Sequence, residues 1–386
     1  MRILACSWNA YVDPADGASR SLRTLCRWLG QFGHSVHAVT SSSTAGLLRG
    51  DIAALLTPFE AHWRNERRDP ERGVARCHVD GVDVRVVRTS DSTEGTPADV
   101  HAFVERATGL LKEHRPHLVV ALGGHRGTHE VLRRAKERGS TTMLAAFQYG
   151  MERPFFFQDV DYVLAPCAHL AEHYRAPARM QPHVMSPAVD WIDVIANDGA
   201  HDRITVVKPT PSRGAALTAA LVKAFAERRP DIEWLFVEAD ERFKALAKVD
   251  WSSPRYRFLR ATPNPRDFLA QTRILLAPSL SEPFGRTALD ATLAGLPVIG
   301  ANVGGLPEAM LGAGVSLNVP SSLARSMHAT PTPEELLPWS DAIIRIWDHD
   351  GQRADLCARA QKAASGLVPE SAQRVRYENF FSSLRV

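Results

Sequence analysis

The sequence predicts an α/β protein built from two doubly wound domains. Short apolar runs, typical of buried strands, alternate with amphipathic stretches of helical period along most of the chain. The alternation restarts after residue 200, beyond a joining segment at about 187–203. A length of 386 residues also fits two domains of roughly 100–200 residues each. We therefore expect one domain over 1–190 and a second over 191–369.

In the first half, strands and helices alternate around one β-hairpin. The pair Asp80-Gly81, flanked by alternating apolar residues over 74–88, is a strong hairpin signal. Gly33 stands where a helix C-cap favours glycine. The other predicted elements are strands at 3–6, 35–40, 118–122, 141–147 and 161–164, and helices at 19–32, 97–114 and 128–138.

In the second half, the pattern predicts strands at 204–207, 234–237, 256–259, 274–277 and 297–300, with helices at 214–228 and 285–294. The last ~55 residues read as about three helical pieces, broken near Gly351 and Gly366. Strands joined by helices form parallel sheets covered on both faces. Ligands bind such sheets at the carboxyl ends of the strands, so two facing domains predict a site in the cleft between them.

Composition excludes several classes of protein. The formal net charge is +3 with both signs interspersed, and the sequence shows no basic stripe, so a nucleic-acid partner is not expected. The five cysteines are scattered and form no C-x-x-C pair, which argues against a disulfide framework and against zinc. The sequence also carries no evident signal peptide and no apolar run near the ~20 residues that cross a bilayer. We expect a cytoplasmic protein that holds no metal.

A short basic cluster leaves a membrane role open. Its arginines are interrupted by acidic residues, so a solvated face is the first interpretation. Peripheral docking to the anionic inner face of a membrane is the second. The cluster comprises Arg64, Arg67, Arg68, Arg72 and Arg76.

The densest chemical pattern lies in residues 276–308. A strand ends there, and a short loop with Glu282 leads through Phe284 and Gly285 into the helix at 285–294. The first N–H groups of a helix have no intrahelical acceptor, and with the helix dipole they form an anion site suited to phosphate. Gly285 allows an anion to approach the backbone closely.

Two carboxylates flank this helix start. Glu282 lies just before the helix and Asp290 just over one turn into it, so the two can address different parts of one extended ligand. The alternative is structural: Glu282 caps the helix, and Asp290 pairs with Arg286 at i, i+4.

This segment resembles the retaining GT-B glycosyltransferases of family GT4. The resemblance rests on the motifs Ser-Glu-Pro-Phe-Gly, Asp290, Ala-Gly-Leu-Pro-Val-Ile and Gly-Gly-Leu-Pro-Glu, which follow one another in that order. The resemblance implies a GT-B fold, with two Rossmann-like domains facing a central cleft and the last helix, about 370–386, packed back on the first. It implies that Glu282 contacts the sugar of a nucleotide diphosphate-sugar donor. Asp290, where the family usually has Glu, would hold the ribose. Phosphate oxygens would bind the amides of Phe284, Gly285, Arg286 and Thr287.

Other parts of the chain fit the same resemblance. The family places Arg and Lys beside the diphosphate after the first strand of its second domain; here Lys208 and Arg213 stand there with identities exchanged. In the first domain, the Gly17 amide would face the cleft and bind the donor, with a plain turn glycine as the alternative. Gln148 replaces a family histidine near the donor sugar, where it can bond a hydroxyl but cannot carry a proton. His125 and Arg126 are weaker acceptor candidates, with a plain surface loop as the alternative.

The function implied is retaining transfer of a sugar to a hydroxyl of a glycan, lipid or natural product, without a cofactor. A nicotinamide oxidoreductase is disfavoured, because residues 8–17 contain no G-x-G-x-x-G. A sugar-nucleotide epimerase or a phosphorylase would share the fold. A catalytically weak or inactive homologue that acts as a binding or scaffold partner is the main alternative, since Asp290 and Gln148 depart from the family pattern.

Overall fold

Two β-sheets organise the chain, one in each half. The computed structural model describes residues 1–44, 52–64, 73–90, 94–190, 193–195, 199–260, 262, 264–367 and 370–385. The Cα positions divide the chain into two compact units. The N-terminal unit is Met1–Val189 together with Ser371–Val386, and the C-terminal unit is Asp190–Glu370. Arg67, Arg68 and Arg72 of the basic cluster lie outside the described residues.

The N-terminal unit holds a nine-stranded sheet. Its strands are β1 (Arg2–Asn9), β2 (Ser35–Ser43), β3 (His62–Trp63), β4 (Val74–Val79), β5 (Val82–Val87), β6 (Leu118–Leu122), β7 (Thr141–Ala145), β8 (Tyr162–Ala165) and β9 (His183–Val184). Its helices include α1 (Gly17–Gln31), α2 (Ile52–Leu56), α3 (Pro97–His114), α4 (Arg126–Lys136) and α5 (Ala168–Ala178). The strand order is β3-β4-β5-β2-β1-β6-β7-β8-β9.

All neighbouring strands of this sheet pair in parallel except β3–β4 and β4–β5. The hairpin predicted at Asp80-Gly81 is confirmed: the two residues have φ of 52° and 83° and join antiparallel strands β4 and β5. The strand predicted over 141–147 ends at Ala145, because the Phe147 N–H turns back to the Ala145 carbonyl oxygen at 3.1 Å. Strands β3 and β9 were not predicted, since two residues carry no readable period.

The C-terminal unit holds a six-stranded sheet whose neighbours all pair in parallel. Its strands are β10 (Arg203–Val207), β11 (Glu233–Val237), β12 (Tyr256–Leu259), β13 (Thr272–Ala277), β14 (Val298–Ala301) and β15 (Val315–Leu317). Its helices are α6 (Ala215–Arg228), α7 (Glu241–Ala247), α8 (Arg266–Leu269), α9 (Arg286–Leu293), α10 (Leu306–Ala309), α11 (Ser321–Arg325), α12 (Pro333–Asp348) and α13 (Asp350–Leu367). The order β12-β11-β10-β13-β14-β15 places β10 beside β13. Two Rossmann-like domains, as predicted, are therefore present.

The last helix, α14 (Glu370–Ser383), packs on the N-terminal unit. Tyr377 and Phe381 are fully buried in the core of that unit, 1% and 0% exposed. The Tyr377 hydroxyl donates to the Ser186 carbonyl oxygen at 2.9 Å, and the Arg374 guanidinium donates to Gln31 Oε1 at 2.6 Å. Residues far apart in sequence thus share one core. Within the described part of the chain, no helix is long and apolar enough to cross a membrane.

Removing a buried ring of α14 should destabilise the N-terminal unit. We expect Phe381→Ala to lower the free energy of unfolding by about 3–5 kcal/mol, because the ring leaves a cavity that its neighbours only partly fill. Val375→Ala is the matched control, since Val375 lies on the same helix and is 49% exposed; its effect should stay within about 0.5 kcal/mol. Urea unfolding followed by circular dichroism measures both. Equal effects of the two variants would contradict this packing.

Candidate functional site

The two chemical segments of the C-terminal unit meet because strands β10 and β13 are parallel neighbours. The carboxyl ends of adjacent parallel strands lie at the same edge of a sheet. There the Ser212 carbonyl oxygen accepts hydrogen bonds from the N–H groups of Leu280 and Ser281, at 2.8 and 3.2 Å. The loop that carries Lys208 and Arg213 is therefore fastened to the loop that carries Glu282.

A glycine makes this approach sterically feasible. Gly214 ends the 3₁₀ turn Pro211–Arg213 and begins α6, with φ of 77°. A Cβ atom at this position would lie 2.0 Å from the Pro278 carbonyl oxygen. Glycine alone avoids both the contact and the cost of a left-handed backbone conformation.

The two predicted cations differ in conformation. Lys208 follows β10 with φ of 52°, and its N–H donates to the Val237 carbonyl oxygen at 2.7 Å. Its Nζ lies 3.9 Å from the Glu238 carboxylate. Arg213 is the last residue of the 3₁₀ turn and is half-buried. Both residues lie at the edge of the sheet where the acidic loop lies.

Glu238 is a residue of this site that the sequence analysis missed. It directly follows β11, has φ of 58°, and its side chain is only 3% exposed. Because a buried carboxylate is costly without a cation nearby, its position beside Lys208 is a strong electrostatic constraint. Nothing in the spacing of the sequence identified it. Its place at the end of the strand next to β10 was the one available signal.

The start of α9 has the properties predicted for an anion site. Gly285 precedes the helix with φ of 101°, and a Cβ there would lie 2.7 Å from Leu306 Cδ1. The N–H groups of Arg286 and Thr287 belong to the first turn, which has no intrahelical acceptors for them. The Phe284 ring is buried, 6% exposed, so only its backbone could serve a ligand.

The two predicted acidic residues have different surroundings. Glu282 is half-buried, and its Oε2 accepts a hydrogen bond from Ser279 Oγ at 3.1 Å. Asp290 is 0% exposed, and its Oδ1 accepts from Arg286 Nε at 2.8 Å. The i, i+4 pair that was the structural alternative is thus formed. A contact between Asp290 and ribose stays a prediction, and it requires Arg286, itself 9% exposed, to share this carboxylate.

The candidates of the N-terminal unit lie around a pocket of about 300 Å³ at the carboxyl ends of β1, β6 and β7. Gln148 and His125 line it, whereas Gly17 follows the lining residue Asp16 and begins α1. Arg126 begins α4, and its guanidinium donates to the Gly95 carbonyl oxygen at 3.2 Å. The structure thus groups these residues at one end of the N-terminal sheet.

His125 is held by both of its ring nitrogens. The Gly127 N–H donates to Nδ1 at 3.0 Å, so Nε2 carries the proton and donates to the Glu94 carbonyl oxygen at 2.9 Å. The ring also stacks on Trp8, with centroids 3.8 Å apart. Burial lowers the pKa of His125 below its usual value. The His125 ring is therefore neutral where it lines the pocket. Because both ring nitrogens are already hydrogen-bonded, His125 cannot act as the base in a proton transfer.

No group of three or more His, Cys, Asp or Glu side chains among the described residues is arranged to hold a metal ion. All five cysteines are free thiols. Metal independence stays a prediction.

The segment that carries the candidate diphosphate site is similar to a known protein family. Residues 211–329 match the family model described as Glycosyl transferases group 1. That segment contains Arg213, the 280–282 loop and all of α9. This part of the C-terminal unit is thus similar to that glycosyltransferase family.

Individual relatives agree with that class. The chain is 30% identical over 155 residues to a D-inositol 3-phosphate glycosyltransferase of Corynebacterium glutamicum, a match that covers 37% of this chain and 34% of the relative. A second such enzyme, from Corynebacterium aurimucosum, is 33% identical over 103 residues, covering 26% of this chain and 21% of the relative. The matches therefore span about a third or less of these curated relatives.

Solved structures match the whole chain. Sucrose-phosphate synthase from Thermosynechococcus elongatus superposes with a TM-score of 0.71 at 15% identity, covering 100% of both chains. HepE from Anabaena, solved with UDP and glucose, gives 0.69 at 15% identity over 100% of both chains. A protein from Listeria monocytogenes that is described as a putative UDP-N-acetylglucosamine 2-epimerase gives 0.61 at 11% identity, covering 99% of this chain and 97% of that one. The fold is that of the GT-B glycosyltransferases.

The approach of the two loops can be tested at Gly214. We expect Gly214→Ala to cost several kcal/mol of unfolding free energy, because the methyl group meets the Pro278 carbonyl oxygen. Gly312→Ala is the matched control: Gly312 has φ of 70°, and a Cβ there meets nothing within 4 Å. Gly312→Ala should cost only about 1 kcal/mol of unfolding free energy, which is the cost of a left-handed backbone conformation for alanine. Denaturant unfolding measures both, and similar losses would show that the loops do not touch as described.

Proposed function

We propose that the protein is a retaining glycosyltransferase of the GT4 type, which moves a sugar from a nucleotide diphosphate-sugar to a hydroxyl acceptor. One observation carries the proposal. The Ser212 carbonyl fastens the loop with two cations to the loop that leads into α9. Cations and the backbone amides at the start of α9 then lie at one edge of one sheet, which is the chemistry that a diphosphate needs.

Binding of the diphosphate is assigned to Lys208, Arg213 and the first amides of α9. These groups stabilise the charge that grows on the leaving nucleoside diphosphate as the glycosidic bond breaks. Fixed cations and N–H groups can do so without a metal ion. The side chain of Lys208 is already held near the site by Glu238, 3.9 Å away.

Glu282 is proposed to contact the transferred sugar. Its carboxylate lies at the start of α9, where it is oriented by the Ser279 hydroxyl. A carboxylate at this point stabilises the positive charge of an oxocarbenium-like transition state. In a retaining reaction the acceptor hydroxyl attacks from the face of the leaving group, and a phosphate oxygen takes its proton, so no protein base is required.

Two alternatives share the fold. A protein described as a putative epimerase is among the solved structures that superpose on this chain, so the fold alone does not select the reaction. The match of residues 211–329 to a glycosyltransferase family favours transfer. An inactive scaffold is disfavoured because Lys208, Arg213, Gly285 and Glu282 are all retained in positions that the chemistry can use. UDP-sugars are the first donors to test, since HepE was solved with UDP-glucose.

Charge reversal tests the diphosphate site. We expect Lys208→Glu and Arg213→Glu each to weaken binding of the productive nucleotide-sugar at least about tenfold, because each replaces an attraction by a repulsion. Lys223→Glu is the matched control, since Lys223 lies exposed on α6 of the same unit. Calorimetric titration measures all three. Unchanged affinity in both site variants would exclude the assignment.

Neutralising Glu282 tests catalysis separately from binding. Glu282→Gln should lower kcat about 100-fold, with donor affinity changed less than about threefold, because the charge acts mainly in the transition state. Glu241→Gln, on the exposed surface of α7, controls for loss of a carboxylate. Release of nucleoside diphosphate is the assay. If Glu282→Gln turned over at the parent rate, the carboxylate would have no role in the chemistry.

A further inference from the structure

A buried carboxylate lies beside one of the two cations assigned to the diphosphate. The Glu238 side chain is 3% exposed, and its Oε1 lies 3.9 Å from Lys208 Nζ. Val207 and Val237 are paired in register on the parallel strands β10 and β11, and the two charged residues directly follow them. The pair therefore lies at the edge of the sheet that carries the candidate diphosphate site.

Both residues of the pair adopt a backbone conformation that favours glycine. Lys208 has φ of 52° and Glu238 has φ of 58°. Each is held by a backbone hydrogen bond to the next strand: the Lys208 N–H donates to the Val237 carbonyl oxygen at 2.7 Å, and the Glu238 N–H donates to the Leu259 carbonyl oxygen at 2.8 Å. Strained residues of this kind are concentrated at ligand sites. Two charged side chains at positions where glycine would be less strained therefore indicate a role in the site.

The strand order places Lys208 between Glu238 and the start of α9. Strand β10 lies between β11 and β13, and β13 leads into α9. Neighbouring strands are about 4.8 Å apart, so the ends of β11 and β13 are separated by about 10 Å. That distance is about one Debye length in ~0.1 M salt. An anion bound between Lys208 and the α9 amides would therefore be repelled by the charge of Glu238.

The donor and the product of the proposed reaction differ in charge. In a nucleotide diphosphate-sugar both ends of the diphosphate are esterified, so it carries two negative charges. Once the sugar has left, the terminal phosphate ionises a second time, with a pKa of about 6. The nucleoside diphosphate then carries close to three negative charges at about pH 8. Because repulsion grows in proportion to the charge of the ligand, a fixed carboxylate disfavours the product more than the donor.

We propose that Glu238 is a specificity-determining residue of the diphosphate site, which favours the nucleotide-sugar donor over the nucleoside diphosphate product. The inference rests on the proposed transferase function and adds a residue to its donor site. Glu238 acts in two ways: it holds the Lys208 ammonium group, and its charge opposes the third negative charge of the product. The consequence is that the product leaves a site whose cations would otherwise retain it.

The affinities of UDP and UDP-glucose test the proposal, with GDP and GDP-glucose measured in parallel. Calorimetry on the full chain at about pH 8 compares the parent protein with Glu238→Gln. We expect Glu238→Gln to tighten binding of the diphosphate about tenfold and of the nucleotide-sugar about threefold, because the lost repulsion scales with ligand charge. The preference for the diphosphate should thus rise about threefold. Lys208 is 19% exposed, so water still solvates its charge in the variant.

Three further variants separate the charge from the fold. Glu238→Asp keeps the charge and should keep the parent preference within about twofold. Glu238→Gly also removes the charge and suits the left-handed backbone, so it should behave like Glu238→Gln. Glu233→Gln is the matched control, since Glu233 begins the same strand and pairs with Arg203 at 2.6 Å. It should leave both affinities unchanged.

An unchanged preference in both neutral variants of Glu238 would overturn the proposal. Weaker binding of the diphosphate by those variants would do so too, as would a Glu238→Asp variant that behaves like Glu238→Gln. Failure of the proposed function is distinguishable, because the parent protein would then bind none of the four nucleotides.

Discussion

The parallel pairing of β10 with β13 is the constraint on which the candidate diphosphate site depends. It brings together two loops that lie about 70 residues apart in sequence. The Ser212 carbonyl then accepts two N–H groups from the second loop, and Gly214 removes the side chain that would keep the loops apart. Without that pairing, the cations and the helix start would be unrelated surface features.

Electrostatics adds a second constraint at the same edge. The buried Glu238 carboxylate lies 3.9 Å from the Lys208 ammonium group, and this proximity favours both charges. A diphosphate entering the site would therefore compete with Glu238 for this ammonium group. The pairing with Glu238 holds the Lys208 ammonium group in place before a ligand binds. It also weakens the attraction of that ammonium group for phosphate, because Glu238 carries the opposite charge. Arg286 and Asp290 form a similar pair on α9.

Much of the fold was predictable from the sequence because its signals are local. The hairpin at Asp80-Gly81 and the helix Pro97–His114 follow from turn residues, caps and period. The state of Asp290 was not predictable, since i, i+4 spacing fits both a pair with Arg286 and a ligand contact. Only the 2.8 Å distance from Arg286 Nε to Asp290 Oδ1 shows that the pair forms. Glu238 was missed because its role depends on the order of the strands, which no local pattern records.

We propose that the C-terminal unit binds a nucleotide mainly through its diphosphate and less through its base or sugar. The most direct measurement compares the affinities of UDP and uridine by calorimetry at two salt concentrations, with GDP and guanosine in parallel. We predict that one diphosphate binds at least about 100-fold tighter than its nucleoside, and that this ratio shrinks as salt rises, because cations and helix amides supply the difference. Equal affinities for diphosphate and nucleoside, independent of salt, would show that the diphosphate does not anchor the nucleotide.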